Sequence, residues 1–153
     1  MALKGTHKSV EFRDNTKTVL ESIDKALTKG LEAVGMKAET YAKKDCPVDT
    51  GLLRNSITYA LSGEMPHVKE YRAYRRNESE RKADRNRAIY SYTGTAPGIA
   101  GEKSVYIGTN VEYAPYVEFG TSRQRAQPFL RPAATEHGAE YRRIIEAALK
   151  ASE

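Results

Sequence analysis

Residues 46–57 read CPVDTGLLRNSI and contain Asp49-Thr50-Gly51. The same triplet carries the catalytic aspartate in retroviral-type aspartic proteases. Such an enzyme needs two carboxylates sharing a proton, so a chain with one motif must work as a dimer. Its aspartate follows an apolar strand, and a second apolar segment supports its loop. Here Pro47 and Val48 follow the Lys43-Lys44 end of a helical pattern, Leu52-Leu53-Arg54 follow the glycine, and no supporting segment is evident. A lone short motif is weak. The competing reading is a structural turn: Gly51 permits it, while Asp49 and Thr50 satisfy free amides at the start of a short helix.

Other chemistry is harder to assemble. Cys46 would need a base, and His7, His67 and His137 lie near an end, in a charged segment and in a helix. A small, partly buried thiol is the simpler reading. Three dispersed histidines and one cysteine make a poor metal set. GTAPGIAG, residues 94–101, lacks the Gly-Lys-Ser/Thr that would close a phosphate loop. No catalytic, metal or cofactor site is expected.

The elements that position these residues follow from spacing. The chain has 153 residues, 39% of them apolar, which suits one domain, 1–153. Ten tyrosines against three phenylalanines and no tryptophan favour half-buried and interface positions. With a single cysteine the chain can form no internal disulfide, which fits a reducing compartment. No secretory leader or membrane span is evident in the sequence, and a soluble protein made in a cytoplasm is expected. Ser9 to Arg13 alternates like a short strand. Thr18-Val19-Leu20-Glu21 fits a capping box. Leu20, Ile23, Leu27, Leu31, Val34, Ala38 and Tyr41 then form one stripe of a long helix that Pro47 ends. Gly30 and Gly35 in that helix suggest a bend or close packing.

Ser56–Ser62 and Ser104–Asn110 read as core strands. Glu112–Gly120 reads as a short helix with Pro115 in its first turn and Gly120 as its stop. A final helix opens at Pro132, with Tyr141, Ile144, Ile145, Ala148 and Leu149 as its apolar face. The predicted fold is α+β: a small, mostly antiparallel sheet packed by the long N-terminal helix and a C-terminal helix.

Between the two core strands, residues 64–103 form a long charged insertion, expected to be a flexible arm, with helix near 78–87 and a hinge at 94–101. His67 to Arg87 holds eight Lys/Arg against four Asp/Glu. Such runs are often only solvated surface. Yet Tyr71, Tyr74, Tyr90 and Tyr92 interleave with Arg72, Arg75, Arg76 and Arg87, the residue types of binding hot spots. The net charge of +5 and pI of about 9.3 permit nucleic-acid contact without requiring it. Arg123 and Arg125 in the loop after Gly120, with Phe129, complete the candidate partner contacts.

Several segments, taken in order, resemble one family. They are Pro47-Val48-Asp49-Thr50-Gly51 with Leu53, Arg54 and Ser56; Tyr113-Ala114 with Glu118-Phe119-Gly120-Thr121; and Pro128-Phe129-Leu130-Arg131-Pro132-Ala133. Together they are similar to the tail-component family of tailed bacteriophages, over roughly Leu20 to Leu149. The insertion is longer and more charged than that family implies. The resemblance implies a non-enzymatic virion assembly protein, a tail-completion or head–tail joining (neck) protein of phage or prophage. It implies a homo-oligomeric ring, most simply of six copies, that meets tail-tube and head-connector proteins close to DNA and touches no membrane. On that reading Asp49, Thr50, Gly51 and Gly120 are scaffold turns. Two alternatives remain: a nucleic-acid-binding module using the Arg/Tyr arm, and a dimeric protease through Asp49.

Overall fold

A computed structural model describes residues 14–49, 51–72, 89–98 and 102–151. Helix α1 spans Thr16–Asp45 and begins two residues before the capping box predicted at Thr18. The Thr16 N–H donates to Asp14 Oδ1 at 2.9 Å, so an acid upstream sets the start instead. It ends as expected, with Cys46 extended before Pro47.

Helix α1 packs on two strands, β1 (Thr58–Leu61) and β4 (Val105–Gly108), which pair antiparallel with Thr58 opposite Gly108 and Leu61 opposite Val105. Its glycines provide close approach. A methyl group on Gly35 would stand 2.3 Å from the Tyr59 ring, and one on Gly30 would stand 3.2 Å from Ala148 Cβ. Among the described residues, no helix is long and apolar enough to cross a membrane.

Short helices frame the sheet: α2 (Leu52–Ser56), α3 (Ala114–Phe119) and α4 (Leu130–Thr135). Helix α5 (Gly138–Lys150) lies along α1. The final helix predicted from Pro132 is therefore two helices. They break at Glu136-His137, where the His137 ring stacks on Tyr41 at 3.5 Å. The chain is α+β, a long N-terminal helix and C-terminal helices around a small antiparallel sheet. The predicted strand at Ser9–Arg13 and helix near 78–87 lie outside the described residues.

The insertion is not a free arm at its base. Strands β2 (Glu70–Tyr71) and β3 (Tyr90–Ser91) pair antiparallel. Tyr71 is buried and stacks on Tyr90, with Tyr92 beside it. The Tyr71 hydroxyl donates to Asn110 Oδ1, and Asn110 Nδ2 donates to the Ser91 carbonyl. The aromatic residues that suggested a binding arm thus include those that anchor it to the body.

Candidate functional site

The motif segments resembling the phage family meet in space: Leu53, Ala114, Phe129 and Ala133 share one buried cluster. Gly51 takes φ +73° and occupies the cap position of α2. That conformation costs an ordinary L-residue roughly 1–2 kcal/mol. The sequence assigned the cap to Asp49 or Thr50. Gly51 stands there instead; Asp49 is exposed and Thr50 lies outside the described residues. One turn later Ser56 is fully buried. Its hydroxyl donates to the Leu53 carbonyl at 2.6 Å and lies 2.5 Å from the Thr109 hydroxyl, tying the first segment to the end of β4. The Tyr92 hydroxyl donates to the Ser56 carbonyl at 2.5 Å and accepts the Asn110 N–H. Burial pushes that phenol up to about 12.

The second segment is organised by Glu118, which is 7% exposed at the end of α3. Its carboxylate accepts three backbone N–H groups: Phe129 at 2.8 Å, Leu130 at 3.0 Å and Arg131 at 2.9 Å. These are the free amides at the start of α4, so one side chain from α3 caps the next helix. Between them, Gly120 has φ +75°, and a methyl group there would meet Ala126 N at 2.6 Å. The loop that follows is closed by backbone bonds from Thr121 N–H to Gln124 and from Gln127 N–H to Val117.

This frame places five of the nine expected contacts. Phe129 is 0% exposed in the core, so its assignment as a partner contact is corrected: a side chain without accessible surface meets no partner. Tyr71 is likewise a core residue. Arg72, Arg123 and Arg125 are exposed, the last two on the loop closed beneath them. Tyr74, Arg75, Arg76 and Arg87 lie outside the described residues. Sequence reasoning missed an aromatic ridge: Tyr113, Tyr116 and Phe119, spaced by three along α3, are 42%, 61% and 75% exposed. Regular spacing and the absence of a matching polar face were its only signals. Beside the ridge lies a cleft of about 640 Å3 lined by Ile107, Val111, Pro115, Phe119, Leu130 and Ala134.

The groups that suggested catalysis are otherwise engaged. Burial pushes the Cys46 thiol up to about 11, against the pull of Arg54, so it stays protonated at neutral pH. His67 stacks on Tyr59, and His137 on Tyr41. His7 lies outside the described residues. Asp49 follows the end of a helix and not an apolar strand. Among the described residues, no group of three or more His, Cys, Asp or Glu is placed to hold a metal ion.

Glycine turns, a buried cap and an exposed aromatic ridge make up this side of the molecule. Comparison with known families identifies its class. The model of the HK97-gp10-like family, described as "Bacteriophage HK97-gp10, putative tail-component", matches residues 10–120. That is well over half of the chain, and the protein belongs to this family of tailed-phage tail components. It is a structural, virion-associated tail protein whose partners are other phage virion proteins. No curated protein and no solved structure matches the chain.

Proposed function

We propose that this protein completes the phage tail and joins it to the head connector as one subunit of a ring, most simply of six copies, and that it does no chemistry of its own. Family membership over residues 10–120 carries the reading. The geometry supports it: the Tyr113–Tyr116–Phe119 ridge projects from a scaffold pinned by Glu118, Gly120 and the Ser56–Thr109 contact. Tyrosine and phenylalanine supply contact area at low entropic cost, since few rotatable bonds must be fixed. Residues 1–153 act as one unit, with the insertion at about 64–103 reaching a neighbour or the tail. Asp49, Thr50 and Gly51 serve as a turn.

Electron microscopy of particles assembled without this protein tests the reading. Filled heads beside separate, unjoined tails are expected. Normal joined virions would overturn it. A salt titration of the purified chain with duplex DNA separates the nucleic-acid alternative, because phosphate binding weakens steeply with salt and a mainly apolar protein contact does not.

A further inference from the structure

The β1–β4 sheet has two edges, and the described chain covers only one of them. The parity of the ladder follows from the Ser62 N–H, which donates to the Ser104 carbonyl at 2.9 Å. Ser62, Ala60 and Thr58 therefore bond across to Ser104, Tyr106 and Gly108, while Tyr59, Leu61, Val105 and Ile107 turn their backbone groups outward. On the β1 side those groups are met. The Tyr59 carbonyl accepts the His67 N–H at 2.8 Å, and the Leu61 carbonyl accepts the Glu64 N–H at 3.0 Å. On the β4 side no described residue bonds the outward groups of Val105 and Ile107. Ile107 also lines the cleft beside α3, so the edge opens onto free space there. Nor is this edge blunted. Natural edges carry Lys, Pro or a bulge that stops further pairing, and Val105-Tyr106-Ile107-Gly108 has none of these.

An open strand edge accepts an extended segment. The sequence supplies one in residues 9–13, which alternate Val10 and Phe12 with Glu11 and Arg13 and lie outside the described residues. This segment cannot serve the edge of its own copy. Tyr59, opposite Ile107, packs on Gly35, and Thr16 stands about 28 Å down α1 from that level at ~1.5 Å per residue. Glu11, the middle of the segment, reaches at most about 18 Å from Thr16 even when the chain is fully extended. We propose that residues 9–13 of one copy add as a strand to the β4 edge of the next. The proposal rests on the ring reading above and names the two surfaces that meet. Backbone bonds to Val105 and Ile107 supply the pairing, and the alternation puts Val10 and Phe12 on one face of the extended sheet. Because segment and edge are different surfaces, the contact is head-to-tail, and repetition closes a ring when the rotation between copies allows.

Binding of a labelled synthetic peptide of residues 6–15 to the full chain tests this. The receptor is the Phe12→Asp variant, which keeps its edge and lacks a working segment of its own. The peptide is expected to bind Phe12→Asp, and to bind Phe12→Asp/Val105→Pro at least about ten-fold more weakly, a loss of ~1.4 kcal/mol. Val105→Pro deletes an outward N–H and no bond of the β1–β4 ladder. Should Val105→Pro fold poorly, hydrogen exchange replaces it: amides over residues 104–109 of Phe12→Asp should exchange more slowly once the peptide is bound. In sedimentation, wild type is expected to self-associate and Phe12→Asp to do so at least about ten-fold more weakly. A mixture of Phe12→Asp and Val105→Pro retains one working segment and one working edge, so it should form a dimer and nothing larger.

A peptide that does not bind Phe12→Asp overturns the contact, as does one that binds the double variant equally well or leaves residues 104–109 unprotected. A wild type that stays monomeric up to its solubility limit overturns it too. So does a Phe12→Asp chain that associates like wild type, which would mean that two β4 edges pair with each other or that another surface carries the oligomer. In each of these cases a ring built through other surfaces survives. Joined virions made without the protein would remove the ring reading itself.

Discussion

Two carboxylates in this chain stand two residues before a glycine of positive φ. Asp49 precedes Gly51 at +73°, and Glu118 precedes Gly120 at +75°. Asp49 is exposed, whereas Glu118 is buried and holds three amides of the next helix. Sequence motifs single out the first as a candidate for chemistry, and packing assigns the second the structural work. The lesson is that a motif's importance depends on which amides the fold aims at its side chain, and not on the motif itself.

The largest expected effect breaks the Glu118 side of the comparison. Glu118→Ala would orphan three amides beside the buried Phe129, and each unsatisfied buried donor costs about 1–3 kcal/mol. Some of that cost is relieved by water entering the gap, so a net loss of about 3 kcal/mol is expected in urea unfolding. Gly120→Ala comes next. It combines a left-handed backbone with a methyl group 2.6 Å from a backbone nitrogen that a side-chain rotation cannot move. A loss of roughly 2–3 kcal/mol is expected by the same measurement. The matching change, Gly51→Ala, carries the conformational cost of a left-handed backbone, about 1–2 kcal/mol. Equal losses at the two glycines would show that the two turns are equivalent.

What the sequence disclosed and what it hid divide along the same line. The α3 stop at Gly120, the end of α1 before Pro47 and the strands around Thr58 and Val105 are readable because their signals lie within a few adjacent residues. Glu118 was invisible as a cap because its amides lie eleven to thirteen residues onward, beyond any capping-box spacing. Phe129 looked like a surface contact since it follows a polar loop; the Glu118 bond draws that backbone inward and the ring into the core. The tyrosines of the insertion carried a mixed signal, because Arg/Tyr interleaving is the same whether the rings meet a partner or, like Tyr71 and Tyr92, anchor a strand pair.

A smaller effect concerns the turn's neighbour, Cys46. Its thiol is raised from 9.0 to about 11 by burial, so the native state holds its proton longer than the unfolded chain does. That contribution to stability is complete below pH 9 and is lost as pH rises from 9 toward about 11, where the unfolded thiol ionises and the native one does not. Buried tyrosines, Tyr92 foremost, add to the loss at higher pH. Melting temperature followed across that window should fall less in Cys46→Ala than in wild type. An identical fall in both would show that the thiol near the turn is solvated.

The smallest effect belongs to Asp49. Its side chain is exposed, and Gly51 occupies the cap position of α2, so Asp49→Asn should change stability by no more than about 0.5 kcal/mol. The proposed ring assembly should be unaffected, since Asp49 lies outside the α3 ridge. The same variant tests the turn for hidden chemistry. A protease that depends on this carboxylate would lose peptide hydrolysis when it is neutralised, because one member of the proton-sharing pair would be gone. The scaffold reading expects no hydrolysis by wild type and hence nothing to lose. Cleavage by wild type that disappears in Asp49→Asn would reverse the ranking of the two carboxylates, making the exposed one the functional acid and Glu118 its support.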